Sequence, residues 1–395
     1  EVRGTAKIEL PPGEEAIIPI AGTAINQPLS VTTESLGTKE AYLGKWAFSF
    51  FRFSESATLH ASEDAPYAVG TPIRLGHSPQ RRKLVLNLFV DGLSWAAARP
   101  YAATHLPHVM RFFSRGVIFD QHFSTSEYTL PAHPAIETGY YPHHTQIFNE
   151  KAGYELPLHM TTISEQMKEQ GYYCAAPLAC TNGISHGILR GFDRLIASGW
   201  TLNSVNAVDS AIRHLKAFDE ADLFLFLLAN DVHPYDALDF KFDTAVETHM
   251  ALSERIFNQK VPAAAVRLPS LYIHQEQYLE RIRQVDRNLG QLFSYLETHF
   301  SEDEYLVNLY SDHGVSIFNN STDAVDVISE NSTCAAWMMR GAGVPEGIVV
   351  HDLTSIVDIY PTLGHLCGFP VNDDIDGRLP AVFGGTARDA AYSMS

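Results

Sequence analysis

Four short stretches of this chain bring acids, imidazoles and a hydroxyl to places where chemistry can happen. Asp91 follows the apolar run 84–90, His233 follows the run 223–228, and the pair Asp312-His313 follows the run 305–310. Thr129 opens a segment that reads Thr129-Leu-Pro-Ala-His-Pro-Ala-Ile-Glu-Thr-Gly139. Pro is tolerated in a first helical turn and Gly suits a left-handed stop, so this segment predicts a loop running into a helix of one or two turns. Singly, each residue has an ordinary reading. Asp-Gly after a strand is usually a turn, and a hydroxyl at a helix start is usually a cap. As a set they are two carboxylates, imidazoles and a hydroxyl, an oxygen-rich donor group that suits a divalent ion. Mg, Ca, Mn and Zn are the candidates, more His ligands favouring Zn. An ion on the Thr129 oxygen would lower the pKa of that hydroxyl and make it a nucleophile, and would stabilise a developing oxyanion.

The elements that must position these residues are legible around them. Leu84–Val90, Leu223–Leu228 and Tyr305–Tyr310 are continuous apolar runs of buried-strand type. Helical periodicity marks Thr161–Gln170, Val205–Phe218 and Gln275–Phe300, the last with apolar residues at Tyr278, Ile282, Val285, Leu289, Leu292 and Leu296. Strands separated by helices predict an α/β fold, a helix-flanked, mostly parallel sheet over residues 83–395, with its chemistry beyond the carboxyl ends of the strands. Residues 1–80 read differently. Short β-type runs such as Ala16–Ile20 and Trp46–Phe53 alternate with turn residues and predict a small β-rich accessory domain. Its aromatics at 46–53 fit strand core or an interface better than a carbohydrate platform.

A chain of 395 residues can bury a large core and fits two or three domains. The net charge of −18 argues against nucleic-acid or anionic-membrane partners. No apolar run approaches the roughly 20 residues of a membrane span. The cysteines at 174, 180, 334 and 367 form no CxxC pair and are read as free thiols, although Cys174 and Cys180 are close enough in sequence to bridge in an oxidising compartment. The chain begins at Glu1 rather than Met, which fits a removed leader or anchor and leaves localisation open.

The segment Thr129–His143 resembles the sulfatase signature, in which Cys or Ser, then Pro, then Arg lead to Thr-Gly-x-Tyr-Pro-His. The likeness continues in order along the chain. Phe89-Val-Asp-Gly92 is similar to the family's first metal strand, and Gly191-Phe-Asp193 to its Gly-Phe-Asp marker. Leu225–Tyr235 resembles the strand that brings a substrate-facing His. Val285–Gly290 through Ser311-Asp-His-Gly314 resembles the helix and second metal strand, and Ile356–Leu363 and Asp376-Gly-Arg378 resemble the closing motifs. The resemblance places the chain in the sulfatase branch of the alkaline phosphatase superfamily. It implies that fold, one divalent ion held by Asp91, Thr129, Asp312 and His313, and catalysis by Thr129 with His233.

The departures bear on the chemistry. Sulfatases oxidise the signature Cys or Ser to formylglycine, and Thr129, a secondary alcohol, cannot give that aldehyde. The signature Arg is His133. The paired aspartates of the first strand become Asp91 and Gly92. The Gly-Lys-x-x-His segment becomes Asn182-Gly-Ile-Ser-His186, so His133, Asn182 and His186 are the candidate substrate-binding residues. A Thr nucleophile is the pattern of phosphoethanolamine and glycerol-phosphate transferases and nucleotide pyrophosphatases in this superfamily. Their second metal needs Asp-x-x-x-His, whereas this chain has Asp231-Val-His233. The leading expectation is a phosphate mono- or diester hydrolase or phosphotransferase acting through phospho-Thr129. The alternatives are a sulfuric ester hydrolase and a non-catalytic binding protein on the same scaffold. The substrate would be a phosphate or sulfate ester, with a glycan or lipid as candidate carrier. The chain ends near where relatives enter a small C-terminal subdomain, so part of the pocket is expected to be absent or supplied differently.

Overall fold

Strands that the sequence spaces far apart meet in sheets whose edges carry the reactive residues. The computed structural model describes residues 1–149, 154–180, 184, 186–198, 203–233, 270–319 and 328–395. They fall into two compact units, Glu1–Lys83 with Phe218–Leu223, and Leu84–Ala217 with Phe224–Ser395.

The strands of the first unit are β1 (Thr5–Ile8), β2 (Ala16–Gly22), β3 (Gln27–Thr33), β4 (Gly37–Leu43), β5 (Ser49–Phe53), β6 (Ala57–His60), β7 (Tyr67–Val69) and β8 (Ile73–Arg74). One sheet runs β1-β6-β3-β4 and the other β5-β2-β7, with β8 also on β2. Alternation does the packing. Ala16, Ile18 and Ile20 of β2 point inward with Leu29, Leu59 and Tyr67, as period-2 patterning requires. The run expected over 46–53 is a strand only from Ser49, because Trp46 takes the left-handed conformation (φ 52°) and interrupts it. Trp46, Phe48 and Phe50 are exposed rather than core.

The second unit holds β9 (Leu84–Val90), β10 (Val117–Phe123), β11 (Tyr173–Cys180), β12 (Arg194–Ser198), β13 (Leu223–Ala229), β14 (Tyr305–Tyr310), β15 (Trp337–Gly341) and β16 (Ile348–Ser355). They form one sheet in the order β12-β11-β13-β9-β14-β15-β10-β16. It is mostly parallel, with β15 antiparallel to both neighbours. The three strands read from the sequence are adjacent at its centre, and every residue of each is buried. β9 and β14 run in register with Phe89 opposite Tyr310, so Asp91 and Asp312 leave the sheet at the same edge. A polar ladder pins that register. Asn308 donates to Asn87 across the strands (3.1 Å) and accepts from the Trp337 indole (2.9 Å), all three being fully buried.

Helices occupy Ile163–Glu169, Ser204–Ala217 and Tyr272–His299, within a few residues of the expected bounds. All six apolar positions read on the last one are buried. The Thr129–Thr138 helix has ten residues, nearly three turns rather than one or two, and ends at Gly139 in the left-handed region (φ 75°). Cys174 and Cys334 are free and buried, and Cys367 is free and partly exposed. No helix among the described residues is long and apolar enough to cross a membrane.

His122 on β10 is fully buried beside Trp337 (ring centroids 4.7 Å) with Nδ1 3.0 Å from the Thr354 hydroxyl. Burial, reinforced by Arg388, pushes its pKa down to about 3. Below the unfolded-state value of about 6.5 the unfolded chain takes up a proton that native His122 refuses, so stability declines as the pH falls from there towards 3. Replacing His122 by Phe removes this contribution. The loss of unfolding free energy between pH 7 and pH 5 should then shrink by about 2 kcal/mol, measured by urea titration at both pH values.

Candidate active site

The carboxyl edge of the sheet gathers five of the residues singled out by sequence. Asp91 and Asp312 sit just past β9 and β14, His233 past β13, His313 beside Asp312, and Thr129 at the first position of its helix. Both acids, His233 and His313 are buried, and Thr129 is partly exposed. The Thr129 hydroxyl lies 3.4 Å from Asp91 Oδ1, to which it donates, and 3.3 Å from His313 Nε2. His313 Nε2 is also 3.4 Å from Asp91 Oδ1 and 3.2 Å from Asp312 Oδ2, and His233 Nε2 is 3.9 Å from Asp91 Oδ1. Thr129 is not the cap of its helix. Tyr128 holds that position, its own hydroxyl donating to the Phe148 carbonyl, and the Thr129 hydroxyl turns to the cluster.

The local backbone makes these positions rigid. Asp312 Oδ1 accepts from the N–H groups of Gly92 (3.2 Å) and His313 (2.9 Å), tying one strand end to the other. The turn after Asp91 needs Gly92, whose φ is 73°, and a side chain there would point at His233, 3.5 Å from its Cα. The space where relatives carry a second aspartate thus adjoins His233. Gly314 is equally constrained, since a Cβ would lie 2.0 Å from the Asn331 carbonyl oxygen. Tyr278, on the long helix, is the residue that sequence reading passed over as core. Its hydroxyl donates to the Gly92 carbonyl (2.8 Å) and accepts from the Ser94 N–H (2.8 Å), clamping both sides of the turn that aims Asp91. An apolar helical stripe with a Tyr in it gives no signal that the phenol tip has such a task.

The remaining expected residues go elsewhere. His133 does not join the cluster. It lies one helical turn on from Thr129, stacked on Phe226 (5.6 Å, 10°) and tilted against Phe89, with Nε2 3.7 Å from Glu137 Oε1. His186 is buried and its Nδ1–H donates to the Tyr154 carbonyl (2.6 Å), and none of its contacts reaches the cluster. Asn182 lies outside the described residues. Asp231, two residues before His233, accepts from Ser204 N–H (2.6 Å) and Oγ–H (2.8 Å) at the start of a helix, and so anchors that strand end without entering the cluster.

His313 Nδ1–H donates to the Gly314 carbonyl (2.7 Å), which turns Nε2 towards both carboxylates. Asp312 Oδ2 is buried and accepts no hydrogen bond. Burial, with His313 alongside, holds the His233 pKa well below its ordinary value, so this imidazole is neutral. Asp91, His233 and His313 bring one ligand-type atom each within 4.8 Å of one another. Lone pairs converging on one point, one of them on an orphaned carboxylate oxygen, fit a cation.

The large, mostly parallel sheet with its flanking helices is of the type found in the alkaline phosphatase superfamily. Residues 83–369 match the sulfatase family model, and the chain belongs to that family of hydrolases. It is 24% identical over 364 residues to N-acetylgalactosamine-6-sulfatase of Canis lupus familiaris, covering 79% of this chain and 68% of that protein. A phosphonate monoester hydrolase from Silicibacter pomeroyi has a TM-score of 0.60 at 17% identity over 78% of each chain. A structure holding its substrate D-glucosamine-2-N,6-O-disulfate gives 0.53 at 16% identity, over 75% of this chain and 78% of that one. At these identities the structural likenesses are likenesses of fold.

An Asn at position 312 would keep the oxygen that accepts from Gly92 and His313 while removing the charge. Asp312→Asn should therefore fold with a near-native Tm but bind Mn²⁺ or Zn²⁺ at this cluster at least about tenfold more weakly, measured by calorimetric titration.

Proposed function

We propose that the chain is a metal-dependent hydrolase or transferase of phosphate mono- or diesters, with the unmodified Thr129 hydroxyl as covalent nucleophile. The observation that carries this reading is the position of Thr129 Oγ1, partly exposed and within 3.4 Å of Asp91 and His313 at the head of a helix it does not cap. Asp91, Asp312 and His313 would hold the ion, with Thr129 as a further oxygen donor. Bound there, a divalent cation supplies a lowered hydroxyl pKa and charge neutralisation for a phosphoryl group.

In the first step Thr129 Oγ forms a bond to phosphorus as the bond to the leaving alcohol oxygen breaks. The Thr129 proton departs along its hydrogen bond to Asp91 Oδ1. His233, neutral in this site, gives a hydrogen bond to a phosphoryl or leaving oxygen rather than a full proton, and water protonates the leaving alcohol. In the second step water or an acceptor alcohol attacks phospho-Thr129, the P–Oγ bond breaks, and the hydroxyl regains its proton. The N–H groups at the helix start would face the anionic substrate.

A sulfuric ester hydrolase is the second reading. It is favoured by the family itself and by the match to N-acetylgalactosamine-6-sulfatase. A sulfated or phosphorylated sugar is then the natural substrate class, and Thr129 would act without oxidation.

Release of 4-nitrophenol from 4-nitrophenyl phosphate, bis(4-nitrophenyl) phosphate and 4-nitrophenyl sulfate separates these readings. Phosphate-ester turnover by wild type, substantial activity in Thr129→Ser, and loss on the order of 10³-fold or more in Thr129→Ala are expected. The Tm of Thr129→Ala should stay near wild type, because no cap is lost. Wild-type turnover in Thr129→Ala would sink the mechanism, and turnover of the sulfate ester alone would favour the second reading.

A further inference from the structure

A second group of ion-binding side chains lies outside the cluster just described. His143, His144 and Asp376 each bring one ligand-type atom within 4.8 Å of the others. The two histidines occupy the single turn Pro142–Thr145, which Gln146 closes in the left-handed conformation (φ 61°). Asp376 comes from a segment 232 residues away in sequence. Its backbone is fixed to the same loop, for the N–H groups of Asp376 (3.0 Å) and Gly377 (2.9 Å) both donate to the Gly139 carbonyl. Its carboxylate is aimed by the Tyr141 N–H, which donates to Oδ2 at 2.7 Å. Two distant pieces of chain therefore hold three donors in fixed places.

The plain structural use of these residues is a hydrogen bond, His144 Nδ1 being 2.8 Å from Asp376 Oδ2. That bond staples the two loops, but it employs one nitrogen of one ring. His143 is left over. Among the described residues its ring nitrogens have no hydrogen-bond partner, and the ring sits 3.9 Å from that of His144, centroid to centroid. His143 and Asp376 also line a cavity of about 370 Å³ with Thr125, Tyr141, Tyr392 and Met394. Thr125 Oγ1, in the wall of that cavity, is buried without a hydrogen-bond partner. The place thus has donors, a fixed geometry, and room beside it for an exogenous ligand.

We propose that His143, His144 and Asp376 form a second cation site, of two nitrogens and one oxygen, with an open coordination position towards this cavity. Two imidazoles and a carboxylate select a borderline ion such as Zn²⁺ over Mg²⁺ or Ca²⁺, in contrast to the oxygen-rich donor set around Thr129. An ion here would replace the His144–Asp376 hydrogen bond by a coordination link and recruit His143 to it. This inference stands independently of the chemistry assigned to Thr129.

Equilibrium dialysis of the full chain against Zn²⁺, followed by metal analysis, tests it. Wild type should take up two equivalents and the His143→Ala/His144→Ala protein one. Asp312→Asn should retain one, and adding His144→Ala to it should weaken that uptake by at least about tenfold. Unchanged stoichiometry and affinity in His143→Ala/His144→Ala would overturn the site, and this comparison decides even if Asp312→Asn fails to fold. So would absence of Zn²⁺ uptake at about 0.1 mM by a folded Asp312→Asn protein. One equivalent in wild type, lost on changing the two histidines and indifferent to Asp312→Asn, would support this site and count against the ion beside Thr129 instead.

Discussion

Two carboxylates share the end of a buried sheet, and much of the site follows from that. The register of β9 on β14 fixes Asp91 and Asp312 at one edge, and both are removed from water. Taking an ionised carboxylate out of water costs several kcal/mol unless partners offset it. Gly92 and His313 N–H groups compensate one oxygen of Asp312. The other faces a His313 nitrogen whose ring proton is committed to Gly314 on the opposite side. Two lone pairs 3.2 Å apart in a buried place repel unless a proton or a cation lies between them. The cluster is built around a positive charge.

The scaffold keeps the acids from relaxing away from each other. Tyr278 clamps the Asp91–Gly92 turn from below, and Ser311 does the same for the second strand end by donating to the Leu93 carbonyl and accepting from the Ala336 N–H. Gly314 admits the Asn331 carbonyl where any side chain would collide. Asp231 spends its carboxylate on Ser204, whose hydroxyl also accepts from Asn288, and Arg281 holds the Asp231 carbonyl. The end of β13 is thereby fixed, and His233 with it.

The central strands were legible because burial on both faces writes them as unbroken apolar runs, and the polar residues that end those runs mark the candidate site. β9, β13 and β14 show this, and so does the helix whose stripe runs from Tyr278 to Leu296. The outer strands were not. β16 is an edge strand with exposed Ile348 and Val349 and polar His351 and Asp352, so no clean alternation marks it. The split between sequence and structure is sharpest at two histidines that the sequence offers as site residues, His313 for a metal and His133 for substrate. His313 follows a strand end and enters the cluster, whereas His133 faces the sheet and packs on aromatic rings. Helical spacing from Thr129 does not distinguish a face towards the site from one towards the core, and only the contacts with Phe89 and Phe226 do.

The location of His133 has a consequence for charge. In the sulfatase signature this position is an Arg, a permanent cation. Here it is an imidazole wedged between Phe89, Phe226 and Glu137, with its Nε2 buried and lacking a hydrogen bond. Whatever charge His133 carries is matched by Glu137 within the helix and does not face an anion beside Thr129. Under the proposed function, the negative charge of the substrate then falls to the ion, the His233 N–H and the helix start. Pro131 contributes no N–H there, so within the helix the donors of the first turn left for an anion are those of Thr129 and Leu130. With no arginine at this position, the anion affinity of the proposed site would rest largely on the ion.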